Sequence, residues 1–253
     1  MNKDYLIEQL RDMGLKKDDR LMLHSSMKAI GDVDGGADTV IDALLEYLSE
    51  GMLMAPTHTW KQMSEQYNIF DPKTEASCVG IITNLLMKRD GAYRSKHPTH
   101  SIVAIGNGAE DYVLGEERFN TPCDPKGCFG RLRDIGAKIL LAGVTHAKNT
   151  YIHSIEESFD IRERLTEKPV KFYVKLEAGE QREVLIHRHY NETTAHISES
   201  FDKLKEYYYE TGAAKKVMFG NAESILCDAA KLYDVTGRIL REKPDYFIEY
   251  VKK

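Results

Sequence analysis

The sequence predicts an α/β fold, a layered sheet with helices on both faces that carries a β-hairpin and loop insertions. Three observations predict it. Short runs dominated by apolar residues, Leu21-Met22-Leu23, Met52–Ala55 and Lys138–Ala142, have strand length and read as strands buried on both sides. Segments with apolar residues at helical spacing accompany them: Leu6, Leu10 and Met13 in one, Val40, Ile41, Leu44, Leu45 and Leu48 in another. The first two runs and the helix between them form a β-α-β unit, which implies a parallel pair joined by a right-handed crossover.

Taken in order, residues 3–14 form a helix closed by Gly14, and the Leu21–Leu23 strand delivers His24-Ser25-Ser26 at its carboxyl end. Gly31–Gly36 is a turn, after which Asp38 is expected to cap the next helix. The strand Met52–Ala55 ends at Pro56-Thr57-His58-Thr59, and a polar loop runs from Lys61 to Lys73. A helix over Gly80–Lys88 and strands over Ser101–Ile105 and Lys138–Ala142 follow, the last leading into the polar loop Gly143–Asn149. Phe172–Leu176 and Glu183–His187 read as a hairpin around Ala178-Gly179-Glu180. Ser200–Thr211, stopped by Gly212, and Ala222–Tyr233 read as helices. With no repeat and no linker rich in Pro, Gly and Ser, residues 1–253 are expected to make one domain.

Composition narrows the function classes. With 42% hydrophobic and 30% charged residues the chain has the make-up of a soluble globular protein. A net charge of −5 and no basic face argue against a nucleic-acid partner. No run approaches the roughly 20 apolar residues of a membrane helix, and the N-terminus lacks a signal peptide, so a cytoplasmic location without a membrane partner is expected. Cys78, Cys123, Cys128 and Cys227 are too scattered for a disulfide scaffold or a paired-cysteine zinc site, so reduced thiols are expected. No coiled-coil seam marks an oligomer, leaving monomer or homodimer open.

Polar residues recur where apolar strands end: His24-Ser25-Ser26, Thr57-His58-Thr59 and Thr145 to His153. Open α/β sheets place ligands at such carboxyl ends, where hydroxyls and free N–H groups hold phosphate oxygens. In the helical reading of Asn149–Glu157, His153 and Glu156 lie three residues apart on one face. A carboxylate there orients an imidazole through one nitrogen and leaves the other to take a proton. Such pairs also occur as solvated surface neighbours. In Arg94-Ser95-Lys96-His97-Pro98-Thr99-His100-Ser101, Pro98 disfavours a regular helix between the histidines, and two histidines without a clear third ligand make a poor metal site. This reads as a polar turn that fixes a loop and brings Arg94 or His97 near a phosphate or substrate. Cys123 and Cys128 are alternative nucleophiles with His153, or simply small apolar side chains.

Together these segments resemble the aminoglycoside 3-N-acetyltransferase family, antibiotic acetyltransferases unrelated in fold to the GNAT enzymes. The resemblance rests on Leu23–Ser26 with Gly31 and Gly35-Gly36, Met54–Thr57, Phe70-Asp71-Pro72, Arg94-Ser95, and His97–Ser101. It continues through Leu141–Gly143, Asn149-Thr150, Ile152-His153 with Glu156, Gly220–Ala222 and a helix over Cys227–Val235, so it covers nearly the whole chain. It implies an acetyl-CoA-dependent N-acetyltransferase acting directly on the 3-amino group of a 2-deoxystreptamine ring, with no metal. By the same resemblance His153 is the base, Glu156 orients it, and Asp71 holds the cationic acceptor. His24, Ser25, Ser26 and Thr57 hold coenzyme A or polarise the thioester, with Arg94, Ser95 and His97 toward the pantetheine-phosphate side. The chain departs from the family at Lys126–Leu132, where many members carry Ser-Pro, which leaves Cys128 without an assigned role. The acceptor is expected mainly against residues 60–75 and 110–130, which show no dense acidic patch; Asp71, Glu75, Glu110, Asp111, Glu116, Glu117 and Asp124 there either serve a polycation or are solvated charges. A cysteine acyl-enzyme and a catalytically silent coenzyme A-binding protein are the competing readings.

Overall fold

A computed structural model describes residues 1–159, 161, 164–189 and 196–249. Its helices are α1 (Lys3–Asp12), α2 (Met27–Ile30), α3 (Gly36–Tyr47), α4 (Ile81–Leu86), α5 (Ala109–Val113), α6 (Tyr151–Ser158), α7 (Lys205–Glu210) and α8 (Ala229–Glu242). Its strands are β1 (Arg20–Ser25), β2 (Met52–Pro56), β3 (Ile69–Phe70), β4 (Tyr93–Arg94), β5 (Ile102–Gly106), β6 (Lys138–Ala142), β7 (Val170–Lys175), β8 (Gln181–Ile186), β9 (Ala214–Phe219) and β10 (Ala222–Asp228). Seven of them form one sheet in the order β4-β5-β2-β1-β6-β10-β9, and β3-β7-β8 form a second.

The centre of the large sheet is parallel. β1 pairs with β2, Arg20 opposite Met52, and with β6, Leu21 opposite Lys138, so all three strands end on one edge. β4, β5, β10 and β9 extend it by antiparallel pairing on either side. Side chains alternate across a strand, so β1 sends Leu21 and Leu23 to one face and Met22 to the other. The first face is covered by α1, α3 and α4, through Leu6, Leu10, Val40, Leu44, Ile82 and Leu86. The second is covered by α5, α6, α7 and α8, through Tyr112, Ile152, Ile155, Tyr208, Leu232 and Leu240. Helices therefore lie on both faces of a mixed sheet. The small sheet packs Phe70, Phe172, Val174, Val184 and Ile186 into its own apolar cluster and supplies the expected hairpin as β7 and β8.

Several local expectations are corrected. Ala222–Tyr233 is not one helix: residues 222–228 are β10, paired with β6 through Ile225 opposite Leu141, and the helix begins only at Ala229. The Asp228 carboxylate caps that helix by accepting from the Lys231 N–H. Ile225-Leu226-Cys227 is a short apolar run that reads equally as helix or strand, and pairing with β6 decides it. Ser200–Thr211 divides into a 3₁₀ segment over Ile197–Leu204 and then α7. Asp38 lies in the first turn of α3 and bonds Arg89 at 2.8 Å, while the cap position is Gly35 at φ +83°, a left-handed backbone that suits glycine.

Candidate active site

β1, β2 and β6 run parallel, so the loops that leave them converge, and a cavity of about 630 Å³ opens there. β1 contributes His24 and Ser25, β2 ends on Pro56, and the segment after it contributes His58 and Trp60. Gly143, at φ +69°, turns the chain out of β6; a Cβ there would meet the Ala29 Cβ at 2.5 Å. The loop beyond it and the start of α6 add Lys148, Asn149, Thr150 and His153.

His153 and Glu156 share one face of α6, as their spacing predicts. His153 Nδ1 lies 3.0 Å from Glu156 Oε2; the Glu156 side chain is buried and that of His153 is 13% exposed. Arg164 grips the same carboxylate, Nε to Oε1 at 2.9 Å and Nη2 to Oε2 at 3.2 Å, and its Nη2 also lies 3.3 Å from His153 Nδ1. A carboxylate at 3.0 Å needs a proton on Nδ1, so Nδ1–H donates to Glu156 and the lone pair of Nε2 is the basic position. Burial, then the nearby Arg164 guanidinium, hold the His153 pKa well below the usual imidazole range. Burial pushes the Glu156 carboxyl up, and Arg164 opposes that shift.

Around the pair the cavity wall is rich in imidazole. His24, His58, His100, His153, His189 and His196, six of the nine histidines, line it. The His153 ring lies 4.2 Å from His189 and 4.8 Å from Phe201, and His58 lies 4.6 Å from His100, centroid to centroid. His58 Nε2 is 3.1 Å from Thr150 Oγ1. Burial drives the pKa of His24 and His189 down to about 3 and those of His58 and His100 well below the ordinary value. Several buried polar atoms of lining residues have no partner among the described residues: His24 Nε2, His58 Nδ1, the Asn149 amide and Arg164 Nη1. Such atoms are costly unless a ligand or water satisfies them. Cys123, Glu157 and His189 bring possible metal-ligand atoms within 4.8 Å of one another. The carboxylate of that group already accepts from the Cys123 N–H and the Thr121 hydroxyl.

Other anticipated residues are placed away from the cavity. Arg94 donates to Thr57 Oγ1, Ser101 Oγ and the carbonyls of Thr57, Pro72 and Glu75, so every one of its nitrogens is occupied. Thr57 and Ser101 hydroxyls are 2.8 Å apart, and Ser95 Oγ accepts from the Ile102 N–H. His97 is wholly buried: its Nε2 lies 3.0 Å from the Thr121 carbonyl and its Nδ1 accepts from the amides of Thr99 and His100. Ser26 caps α2 by accepting from the Ala29 N–H. Asp71 accepts from the Lys73 N–H and pairs with Lys175 at 3.2 Å. Of the acidic side chains at 60–75 and 110–130, Glu75 accepts from Gln62 and Tyr67, Glu116 from the Cys128 N–H, Glu117 from Arg182 and Asp124 from the Lys126 N–H. Burial pushes the thiols of Cys123 and Cys128 well up, with Glu157 and Glu116 respectively adding to it, so neither is poised as a thiolate.

The site also uses residues that the sequence reading did not select. His58 and His100 lie in strand-end and turn segments, where the recurrence of histidine is the available signal. Arg164 stands eleven residues beyond His153, past the end of α6, with no periodicity to link the two. His189 follows β8, in a hairpin that carried no chemical motif.

Fold and site together define an α/β protein with a His–Glu pair, its carboxylate buried, at the carboxyl ends of parallel strands. The chain belongs to the aminoglycoside 3-N-acetyltransferase family, whose profile matches residues 22–241. It is similar to aminoglycoside N(3)-acetyltransferase IX of Micromonospora chalcea, 30% identical over 173 residues that cover 61% of each chain. The chain thus spans about three fifths of that relative's length. Among solved structures it resembles one described as AAC-IIIb binary with CoASH, at TM-score 0.84 and 21% identity over 96% of this chain and 97% of that one. It also resembles AAC-VIa bound to sisomicin, at TM-score 0.81 and 24% identity over 96% and 98% of the two chains. At those identities the two structures show the shared fold. Among the described residues no helix is long and apolar enough to cross a membrane.

Proposed function

We propose that the protein transfers acetyl from acetyl-CoA directly to an amino group of an aminoglycoside, the 3-amino group of the 2-deoxystreptamine ring, with His153 as general base. The observation that carries this reading is the His153 Nδ1–Glu156 contact of 3.0 Å at a cavity formed by strand ends. The names of the relatives support the class of reaction, and the neighbours described with CoASH and with sisomicin support the two ligands.

An ammonium group must shed one proton before its nitrogen can attack, and a second as the amide forms. The nitrogen lone pair attacks the thioester carbonyl carbon while His153 Nε2 takes the departing proton. The oxyanion then collapses, the C–S bond breaks, and the imidazolium returns the proton to the leaving thiolate. Glu156 steadies the imidazolium meanwhile. Oxyanion stabilisation calls for preorganised donors, and the Asn149 amide of the lining has no partner among the described residues. We assign His24 and Ser25 to contact with acetyl-CoA, since both line the cavity. Thr57, Arg94, Ser95, His97 and Ser26 support its walls, and Asp71 acts through the loop it fixes with Lys175. The unreactive state of the buried thiols favours direct transfer over an acyl-cysteine.

The test is thiol release from acetyl-CoA with a panel of aminoglycosides and other primary amines. Acceptor-dependent release that His153→Gln abolishes is expected. Release from none of the aminoglycosides would refute the acceptor, and full activity in His153→Gln would refute the base.

A further inference from the structure

Arg164 does more at this site than a structural ion pair requires, and the following rests on His153 being the base. We propose that Arg164 is a positioning residue that sets the charge state of the base: it neutralises Glu156, so that the carboxylate orients His153 without holding a proton on it. The geometry is specific. Two guanidinium nitrogens grip the two carboxylate oxygens at 2.9 and 3.2 Å, and one of them also stands 3.3 Å from His153 Nδ1. Arg164 and Glu156 are 4% and 1% exposed, so solvent screens their charges little.

Charge counting gives the consequence. An ionised Glu156 with a neutral His153 would leave one buried negative charge, and adding a proton would cancel it. Such a pair takes up a proton readily and would meet the incoming amine already blocked. With Arg164 present the three groups sum to zero and a proton makes them cationic, which burial opposes. Among the described residues the other groups against His153 bring no anion: His189 at 4.2 Å and Phe201 at 4.8 Å from its ring, with His58 and His196 nearby. The same balance serves the second half of the reaction, because a proton taken during attack is held weakly and passes easily to the coenzyme A thiolate.

The deciding measurement is an NMR titration of the His153 imidazole, without substrate, in the wild type and in Arg164→Gln. The variant should take up a proton at His153–Glu156 at a pH higher by about one unit or more. Arg164→Lys keeps the charge and should titrate close to the wild type, and Glu156→Gln/Arg164→Gln, with both charges gone, should return His153 to low-pH titration. In kinetics, the acid limb of kcat/KM should move up by the same amount in Arg164→Gln, with KM for acetyl-CoA little changed. Coincident titrations of wild type and Arg164→Gln would overturn the proposal, as would a shift in Arg164→Lys as large as in Arg164→Gln. Should Arg164→Gln fail to fold, the Lys and double variants decide in the same terms. A shifted titration combined with full activity in His153→Gln would leave Arg164 setting the imidazole charge and remove only the catalytic role of His153.

Discussion

Two polar clusters occupy neighbouring positions beyond the ends of the central strands, built from the same kinds of residue. In one, Arg94, Thr57, Ser101, Ser95 and His97 bond one another and the backbone: five donations from Arg94 and three contacts at His97 tie the 57–59, 72–75 and 94–102 segments together. In the other, His24, His58, Asn149 and Arg164 keep buried polar atoms without partners among the described residues, and all four line the cavity. A satisfied buried network makes a rigid wall, whereas unsatisfied atoms are tolerated where a ligand completes them. Residue type and position at a strand end are alike in the two. What separates them is hydrogen-bond accounting, and that exists only once the chain has folded.

The contrast breaks most sharply at His153 against Arg94. Replacing His153 by Gln should cut acetyl transfer by roughly 10²–10⁴-fold with a smaller loss of stability than Arg94→Met, because Arg164 still pairs with Glu156 once the Nδ1 bond is gone. Arg94→Met should do the reverse, costing about 2–3 kcal/mol of stability by orphaning carbonyls and hydroxyls while folded molecules keep most of their turnover. Urea unfolding and initial rates per folded molecule check both. If Arg94→Met instead raises KM for acetyl-CoA tenfold without loss of stability, the wall is a binding surface and the comparison fails.

Acid should act on both clusters together. Burial holds His97 and His146 at about 4 and His24 and His189 at about 3. In the unfolded chain the same imidazoles protonate below about 6.5, so between that pH and 3–4 the unfolded state binds more protons. Stability is fully present above pH 6.5 and falls as pH drops through this window, by up to about 1.4 kcal/mol per pH unit for each such histidine. Calorimetry between pH 7.5 and 5 should show the melting temperature falling steeply, and His97→Asn should flatten part of the slope. A melting temperature constant over that range would mean these imidazoles are not held neutral by the fold.

The sequence made the layered α/β fold legible because strand-length apolar runs and a β-α-β unit report directly on burial. It also placed His153 and Glu156 correctly on one helix face, since both belong to a single periodic segment. It failed where long-range pairing decides. β10 read as helix because Ile225-Leu226-Cys227 carries no period of its own, and only its pairing with β6 makes it a strand. Arg164 was invisible for a related reason: its partner lies on another segment, and the contact depends on how the chain returns after α6. Arg94, Ser95 and Thr57 sat where a ligand was expected, yet their bonds to one another consume the groups a ligand would need.

The four thiols carry the same comparison at its smallest effect. Cys123, Cys128 and Cys227 are at most 1% exposed, whereas Cys78 is half-buried and lines the cavity. A disulfide reagent attacked by thiolate should therefore modify one thiol in the folded protein and the other three only on unfolding. Burial raises the Cys78 pKa too, so its labelling should be slow at neutral pH and accelerate as pH rises. Coenzyme A in the cavity should slow the Cys78 reaction several-fold, whereas it should leave the unfolding-gated reaction of the other three unchanged unless binding also stabilises the fold. Cys78→Ser should retain transfer, since direct attack by the amine needs no thiol. Should Cys128 react first, with loss of activity keeping pace with its modification, an acyl-cysteine route would return in place of direct transfer.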